Sequence, residues 1–86
     1  MPNVVVYLTR HCPYCVHAKR LLDRKGVAYT VIDVGKDPSL RKEMVAKSGR
    51  TTVPQIFIDD RPVGGYDDLV ELDREGQLDR LLGKKE

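Results

Sequence analysis

Residues 4–8 (VVVYL) are continuously apolar, β-branched or aromatic, the pattern of a strand covered on both faces. From Cys12 the period changes. Cys15, Ala18, Leu21 and Leu22 recur at helical spacing, Arg24 and Lys25 put positive charge into the last turn, and Gly26 offers a left-handed stop. This predicts a helix of about three turns. The run VAYTVIDV from Val27 to Val34 predicts a second strand, so the first third of the chain reads as a β-α-β unit with a parallel pair and a right-handed crossover. Asp37-Pro38 supplies an N-cap and a proline at the first position of a second helix, whose apolar side is Leu40, Met44 and Val45 before Gly49. Ile56-Phe57-Ile58 predicts a short strand, Asp59-Asp60-Arg61 a turn, and Pro62-Val63 the start of an edge strand, where a missing N–H is tolerated. After Gly64-Gly65 a third helix is expected. There Asp68 and Glu71 form a capping-box-like pair, and Leu69, Leu72, Leu78, Leu81 and Leu82 pack inward across a break at Gly76. Lys84-Lys85-Glu86 reads as a solvated tail.

The order is β-α-β-α-β-β-α, an α/β arrangement. With 86 residues the chain is expected to form one domain over residues 1–86, because a second core would leave each part too little apolar surface to bury. Hydrophobic residues at 41% and charged residues at 33% exclude a disordered chain. Fifteen basic against thirteen acidic residues leave a formal charge of +2, too small to predict a nucleic-acid partner. The longest strictly apolar run, Val4 to Leu8, is far short of a membrane span and lacks the flanks of a signal peptide. The expectation is a cytoplasmic monomer with no membrane and no nucleic-acid partner.

Cys12 and Cys15, within HCPYC at residues 11–15, are the two cysteines of the chain. A pair in such close register closes almost no loop, so a structural disulfide there would constrain the unfolded chain little. Zinc wants four ligands and the pair supplies two. His11 and His17 are near in sequence but read as solvated surface residues, so no metal site is expected. The remaining reading is a redox centre, since Cys-x-x-Cys between a strand and a helix of a β-α-β unit has the thioredoxin-like context. At the helix cap the Cys12 sulfur can accept backbone N–H bonds, which should lower its pKa from about 8.5 into the range of about 3.5–7.5 and make it the nucleophile. Pro13 gives up an N–H that would be unpaired anyway. Cys15, one turn on and on the same face, is close enough for a disulfide and is the natural resolving thiol. It shares the apolar stripe with Ala18 and Leu22, so it should be more buried than Cys12 and keep a higher pKa. Tyr14, between the thiols, either shields the sulfur and contacts substrate or stands as an exposed aromatic.

CPYC at 12–15, TVP at 52–54 and GGYDD at 64–68, in this order and spacing, make the sequence resemble a dithiol glutaredoxin over nearly its whole length. The resemblance implies a thioredoxin-like fold, a four-stranded mixed sheet flanked by helices. It implies glutathione-dependent thiol-disulfide exchange, with glutathione as reductant, and glutathionylated proteins and protein disulfides as substrates. Val53, preceding a proline, is pushed toward extended backbone that can pair with a peptide-like ligand. In the family that ligand is the cysteinyl part of glutathione, next to Thr52, and the proline, here Pro54, is cis. Glutathione carries two carboxylates and one ammonium. The helix start after Gly65 offers N–H groups to the γ-glutamyl carboxylate, and Asp67 or Asp68 can meet the ammonium. Arg50 is similar in position to a family residue that meets the glycyl carboxylate. Tyr66 either lies along the γ-glutamyl end or covers the helix start. One departure stands out: the family usually has a lysine three residues before the first cysteine, and this chain has Thr9. Arg10 or Arg50 would have to replace it. The alternative reading is an iron–sulfur carrier in which Cys12 of two chains and two glutathiones hold a [2Fe–2S] cluster, although in the family a proline at the position of Pro13 disfavours it. A redoxin recharged by thioredoxin reductase is the third reading, against which the apparent glutathione site argues.

Overall fold

The computed structural model describes residues 3–83, so the expected tail Lys84-Lys85-Glu86 lies outside the described residues. The elements are β1 (Val4–Leu8), α1 (Pro13–Arg24), β2 (Thr30–Asp33), α2 (Pro38–Ser48), β3 (Gln55–Ile58), β4 (Arg61–Gly64), α3 (Tyr66–Arg74) and α4 (Gln77–Leu81). The four strands form one mixed sheet in the order β2-β1-β3-β4, with β1 parallel to β2 and antiparallel to β3, and β3 antiparallel to β4. This is the thioredoxin-like arrangement that the motifs implied.

Both faces of the central strands are covered, which is why β1 carries no polar residue. Val4, Val6 and Leu8 point to one side, into a core shared with Ala18, Leu21 and Leu22 of α1 and with Leu69, Leu78 and Leu82. Tyr7 points to the other side and packs with Phe57, Val34 and Met44 of α2. Each fully buried side chain of this kind contributes about 1.5–3 kcal/mol relative to exposure. Met44 is the buried residue of α2, and Leu40 and Val45 pack beside it, partly buried, against the same cluster.

Three local expectations differ from the structure. The second strand is shorter than Val27 to Val34, because the parallel register pairs Val5 with Thr30 and Leu8 with Asp33. Val27 and Ala28 therefore precede the start of β1 and have no strand to pair with, while Val27 and Tyr29 pack against the core. The hairpin turn needs only Asp59 and Asp60, both left-handed at φ 53° and 65°, and Arg61 already belongs to β4. The cap of the third helix is not an Asp68–Glu71 pair. Gly65 is the N-cap and Asp68 Oδ2 accepts its N–H at 2.9 Å, because α3 starts at Tyr66 and places Asp68 at the third helical position. The break falls at Gly76, φ 75°, and it separates α4 from α3 as a helix of its own.

Register also decides which loops meet. Tyr7 pairs with Gln55 in the antiparallel β1–β3 ladder, and Ile56 pairs with Gly64 across β3–β4. The exit of β1, the entry of β3 and the exit of β4 therefore share one end of the sheet. Those are the points from which CPYC, TVP and GGYDD extend.

Candidate active site around Cys12

Cys12 caps α1 with extended backbone, φ −107° and ψ 112°, and Pro13 takes the first helical position. Its Sγ accepts the Cys15 N–H at 3.2 Å, and its thiol points at the Val53 carbonyl 3.8 Å away. The side chain is partly exposed, whereas Cys15 is 2% exposed. Burial, reinforced by the hydrogen bond with Cys12, pushes the Cys15 thiol up to about 12. Both cysteines are present as free thiols. One sulfur is thus open to a partner while the other stays neutral one turn behind it.

A groove of about 190 Å³ opens along the Val53 backbone, whose carbonyl stands 3.8 Å from Cys12 Sγ. Arg50, Thr52, Val53 and Pro54 form one wall, and Gly65, Tyr66, Asp67 and Asp68 form the other, with Tyr14 at the rim. These are the nine residues assigned from sequence to a glutathione site. The Val53–Pro54 bond is cis. Gly65 faces the opposite wall, and a Cβ there would make an ordinary contact, 3.4 Å, with the Pro54 carbonyl oxygen. Gly64 has φ 113°, and a Cβ on it would run into the Asp68 carboxylate. A glycine at 64 with an acid four residues on is thus what this wall requires.

Arg50 reaches across and donates from Nη1 to Asp68 Oδ2 at 2.7 Å. That contact first, and the Gly65 N–H second, hold the Asp68 carboxyl below the usual carboxylate range. Arg10 does not line the groove. It stands with Thr9, Val16, Lys19 and Val31 around a separate recess that Cys12 and Cys15 also line. Of the two cations weighed against the missing lysine, only Arg50 borders the groove.

Sequence reading did not single out three contributors. Gln55 is buried, and its Nε2 donates to the Thr52 carbonyl at 3.0 Å and to Thr52 Oγ1 at 3.2 Å, which holds the TVP turn. Its only signal was a polar residue opening an otherwise apolar strand. His17 belongs to an aromatic cluster, 6.4 Å from Tyr14 and 5.6 Å from Tyr66 between ring centroids. Tyr14 and Tyr66 stack at 6.3 Å, so Tyr66 bridges the groove and the α1 surface. The spacing of Tyr14 and His17, one turn apart, was readable; their contact with α3 was not. The Arg50–Asp68 pair was the third.

The glutaredoxin family profile matches residues 4–63. The chain is 55% identical over 82 residues to a glutaredoxin of Pseudomonas aeruginosa, covering 95% of this chain and 98% of that one. It is 51% identical over 82 residues to glutaredoxin 3 of Escherichia coli K12, covering 95% and 99%. Among solved structures, a glutaredoxin of Brucella melitensis superposes with a TM-score of 0.83 at 51% identity, covering 98% of this chain and 94% of that one. A buckwheat glutaredoxin–glutathione complex superposes with a TM-score of 0.88 at 29% identity, covering 95% and 77%.

Proposed function

The chain belongs to the glutaredoxin family of thiol-disulfide oxidoreductases, and from that premise we propose that it reduces glutathione mixed disulfides and protein disulfides with glutathione as the electron source. The observation that carries this reading is the position of Cys12, at the open end of α1 and against the Val53 wall of a groove that offers N–H groups, a carboxylate and a cation. Glutathione has a complementary partner for each. The Val53 backbone pairs with its cysteinyl unit; that the buckwheat relative was solved as a glutathione complex supports glutathione as the ligand. The N–H groups of Tyr66 and Asp67, at the start of α3, receive the γ-glutamyl carboxylate. Asp67 takes the ammonium, because Asp68 is already engaged by Arg50 and Gly65. Arg50 spends one nitrogen on Asp68 and keeps its other N–H donors for the glycyl carboxylate. Tyr14 covers the sulfur.

The Cys12 thiolate attacks the glutathionyl sulfur of a mixed disulfide. The substrate's S–S bond breaks, its thiolate leaves and takes a proton, and glutathione remains on Cys12. A second glutathione thiolate then attacks the glutathionyl sulfur, releasing glutathione disulfide and the Cys12 thiolate. With a protein disulfide, Cys12 first forms a mixed disulfide with the substrate. Cys15, once deprotonated, attacks Cys12 Sγ, the substrate thiolate departs, and a Cys12–Cys15 disulfide is left for two glutathiones to reduce. A coupled assay with glutathione, glutathione reductase and NADPH on a small glutathione mixed disulfide tests the reading. Turnover is expected from the native protein and not from Cys12→Ser; no turnover from the native protein would remove it.

A further inference from the structure

The outer face of α1 carries a second concavity, of about 450 Å³, lined by His17, Arg20, Asp23, Arg24 and Tyr66. Tyr66 also borders the groove beside Cys12, and its ring lies 5.6 Å from His17, so the two concavities meet at the aromatic cluster. On α1, His17, Arg20 and Arg24 form one stripe, since spacings of three and four return to the same helical face. Among the described residues neither arginine forms an ion pair. The one carboxylate in the hollow, Asp23, accepts a hydrogen bond from the Tyr29 hydroxyl at 2.9 Å. The result is a positively charged hollow continuous with the place where disulfides are exchanged.

We propose that this face of α1 docks the polypeptide of a protein substrate and selects chains with aspartate or glutamate about four to six positions from the reactive cysteine. The inference rests on the redox reading above and adds a substrate class to it. The spacing follows from geometry. Arg20 and Arg24 stand eight and twelve positions beyond Cys12, or about 12 and 18 Å along the helix at 1.5 Å per residue. An extended substrate advancing about 3.3 Å per residue covers those distances in about four to six residues. The aromatic cluster between them gives the backbone of that segment a surface to lie on. A small glutathione mixed disulfide reaches neither arginine.

The test uses glutathionylated peptides of equal length with acidic, neutral or basic residues at those positions, with kcat/KM measured at low ionic strength. The native protein should favour the acidic over the neutral peptide by about five-fold, the sum of two exposed charge pairs of ordinary strength. The preference should fade in about 1 M salt, where the Debye length is about 3 Å. Arg20→Glu with Arg24→Glu should reverse the preference toward the basic peptide and leave turnover of the small mixed disulfide unchanged. Equal use of the three peptides by the native protein, or the same loss on all of them in the variant, would overturn the proposal. If the small mixed disulfide is not turned over at all, the redox reading fails instead. Docking is then read from the anisotropy of a labelled acidic peptide with serine for cysteine: binding by the native protein but not the variant supports it, and no difference between them ends it.

Discussion

Cys12 and Cys15 differ because one residue stands at the open end of α1 and the other lies inside the core, 2% exposed, with its thiol pushed up to about 12 by burial first and by Cys12 second. A neutral, enclosed thiol waits for a disulfide to form beside it. Alkylation of the reduced, folded protein below pH 9 should therefore modify Cys12 and leave Cys15 untouched, as peptide mapping would show; equal labelling would contradict the assignment. The sign of the stability effect follows from the same burial. An unfolded Cys15 ionises near its ordinary value of 9.0 and the folded one near 12, so the folded state keeps a proton that the unfolded state releases. Its contribution is complete below pH 9 and declines toward pH 12, by up to about 1.4 kcal/mol per pH unit. Urea midpoints from pH 8 to 11 should fall less steeply in Cys15→Ala than in the native protein, and parallel slopes would refute the argument. In catalysis the two thiols separate by substrate. Cys15→Ser should retain turnover of small glutathione mixed disulfides and lose most turnover of protein disulfides, whereas Cys12→Ser loses both. Inactivity of Cys15→Ser on the small substrate would place Cys15 in the obligatory path.

The start of α3 shows how an element is fixed by contacts its own sequence does not announce. Asp68 caps Gly65 and holds Arg50, a residue 18 positions away, and Gly64 must lack a side chain for the carboxylate to fit. Gly64→Ala should therefore cost more than Gly76→Ala. At Gly76 a Cβ meets nothing within 4 Å and the cost is only the left-handed backbone, about 1 kcal/mol; at Gly64 a steric conflict is added. Thermal denaturation of the two variants ranks them, and the reverse order would show that Asp68 yields freely. Asp68 is depressed by Arg50 and Gly65, so its contribution is present above the ordinary carboxylate range and is lost on acidification. With 42% of the side chain exposed, Asp68→Asn should cost less than about 1 kcal/mol at neutral pH and almost nothing near pH 3. Elements with a local signal were legible from sequence: the apolar run of β1, the stripe and cap of α1, Asp37-Pro38 opening α2, Pro62 on the sheet edge. The start of β2 at Thr30 was not, because it depends on where β1 begins.

Across the whole molecule, the sheet register gathers three motifs at one end, and the candidate site was legible to the degree that each part is local or carried by family likeness. The cap at Cys12 follows from its neighbours in sequence. The meeting of Arg50, Val53, Gly65 and Asp67 in one groove does not, and it was anticipated only through the glutaredoxin pattern. His17, read from sequence as a solvated surface residue, meets Tyr66, and that contact and the Arg50–Asp68 contact were not legible because they join α1 and the TVP loop to α3 through side chains alone. A groove built from three separate elements has a global consequence. A ligand that bridges the Cys12 end of α1, the TVP loop and the start of α3 binds the folded chain and not the unfolded one, so it must raise the stability of the whole. With S-methylglutathione, whose capped sulfur cannot exchange, ten times the dissociation constant should add about 1.4 kcal/mol. For a domain of about 60–100 residues that amounts to roughly 6–10 °C in Tm. Arg50→Glu and Asp67→Asn should each shift this response to higher ligand concentration, by a factor that shrinks in salt, with the Tm of the ligand-free protein little changed for Asp67→Asn and somewhat lowered for Arg50→Glu, which sets a carboxylate against Asp68. A native protein whose Tm ignores the ligand, or variants that respond as the native does, would move the glutathione site away from this groove.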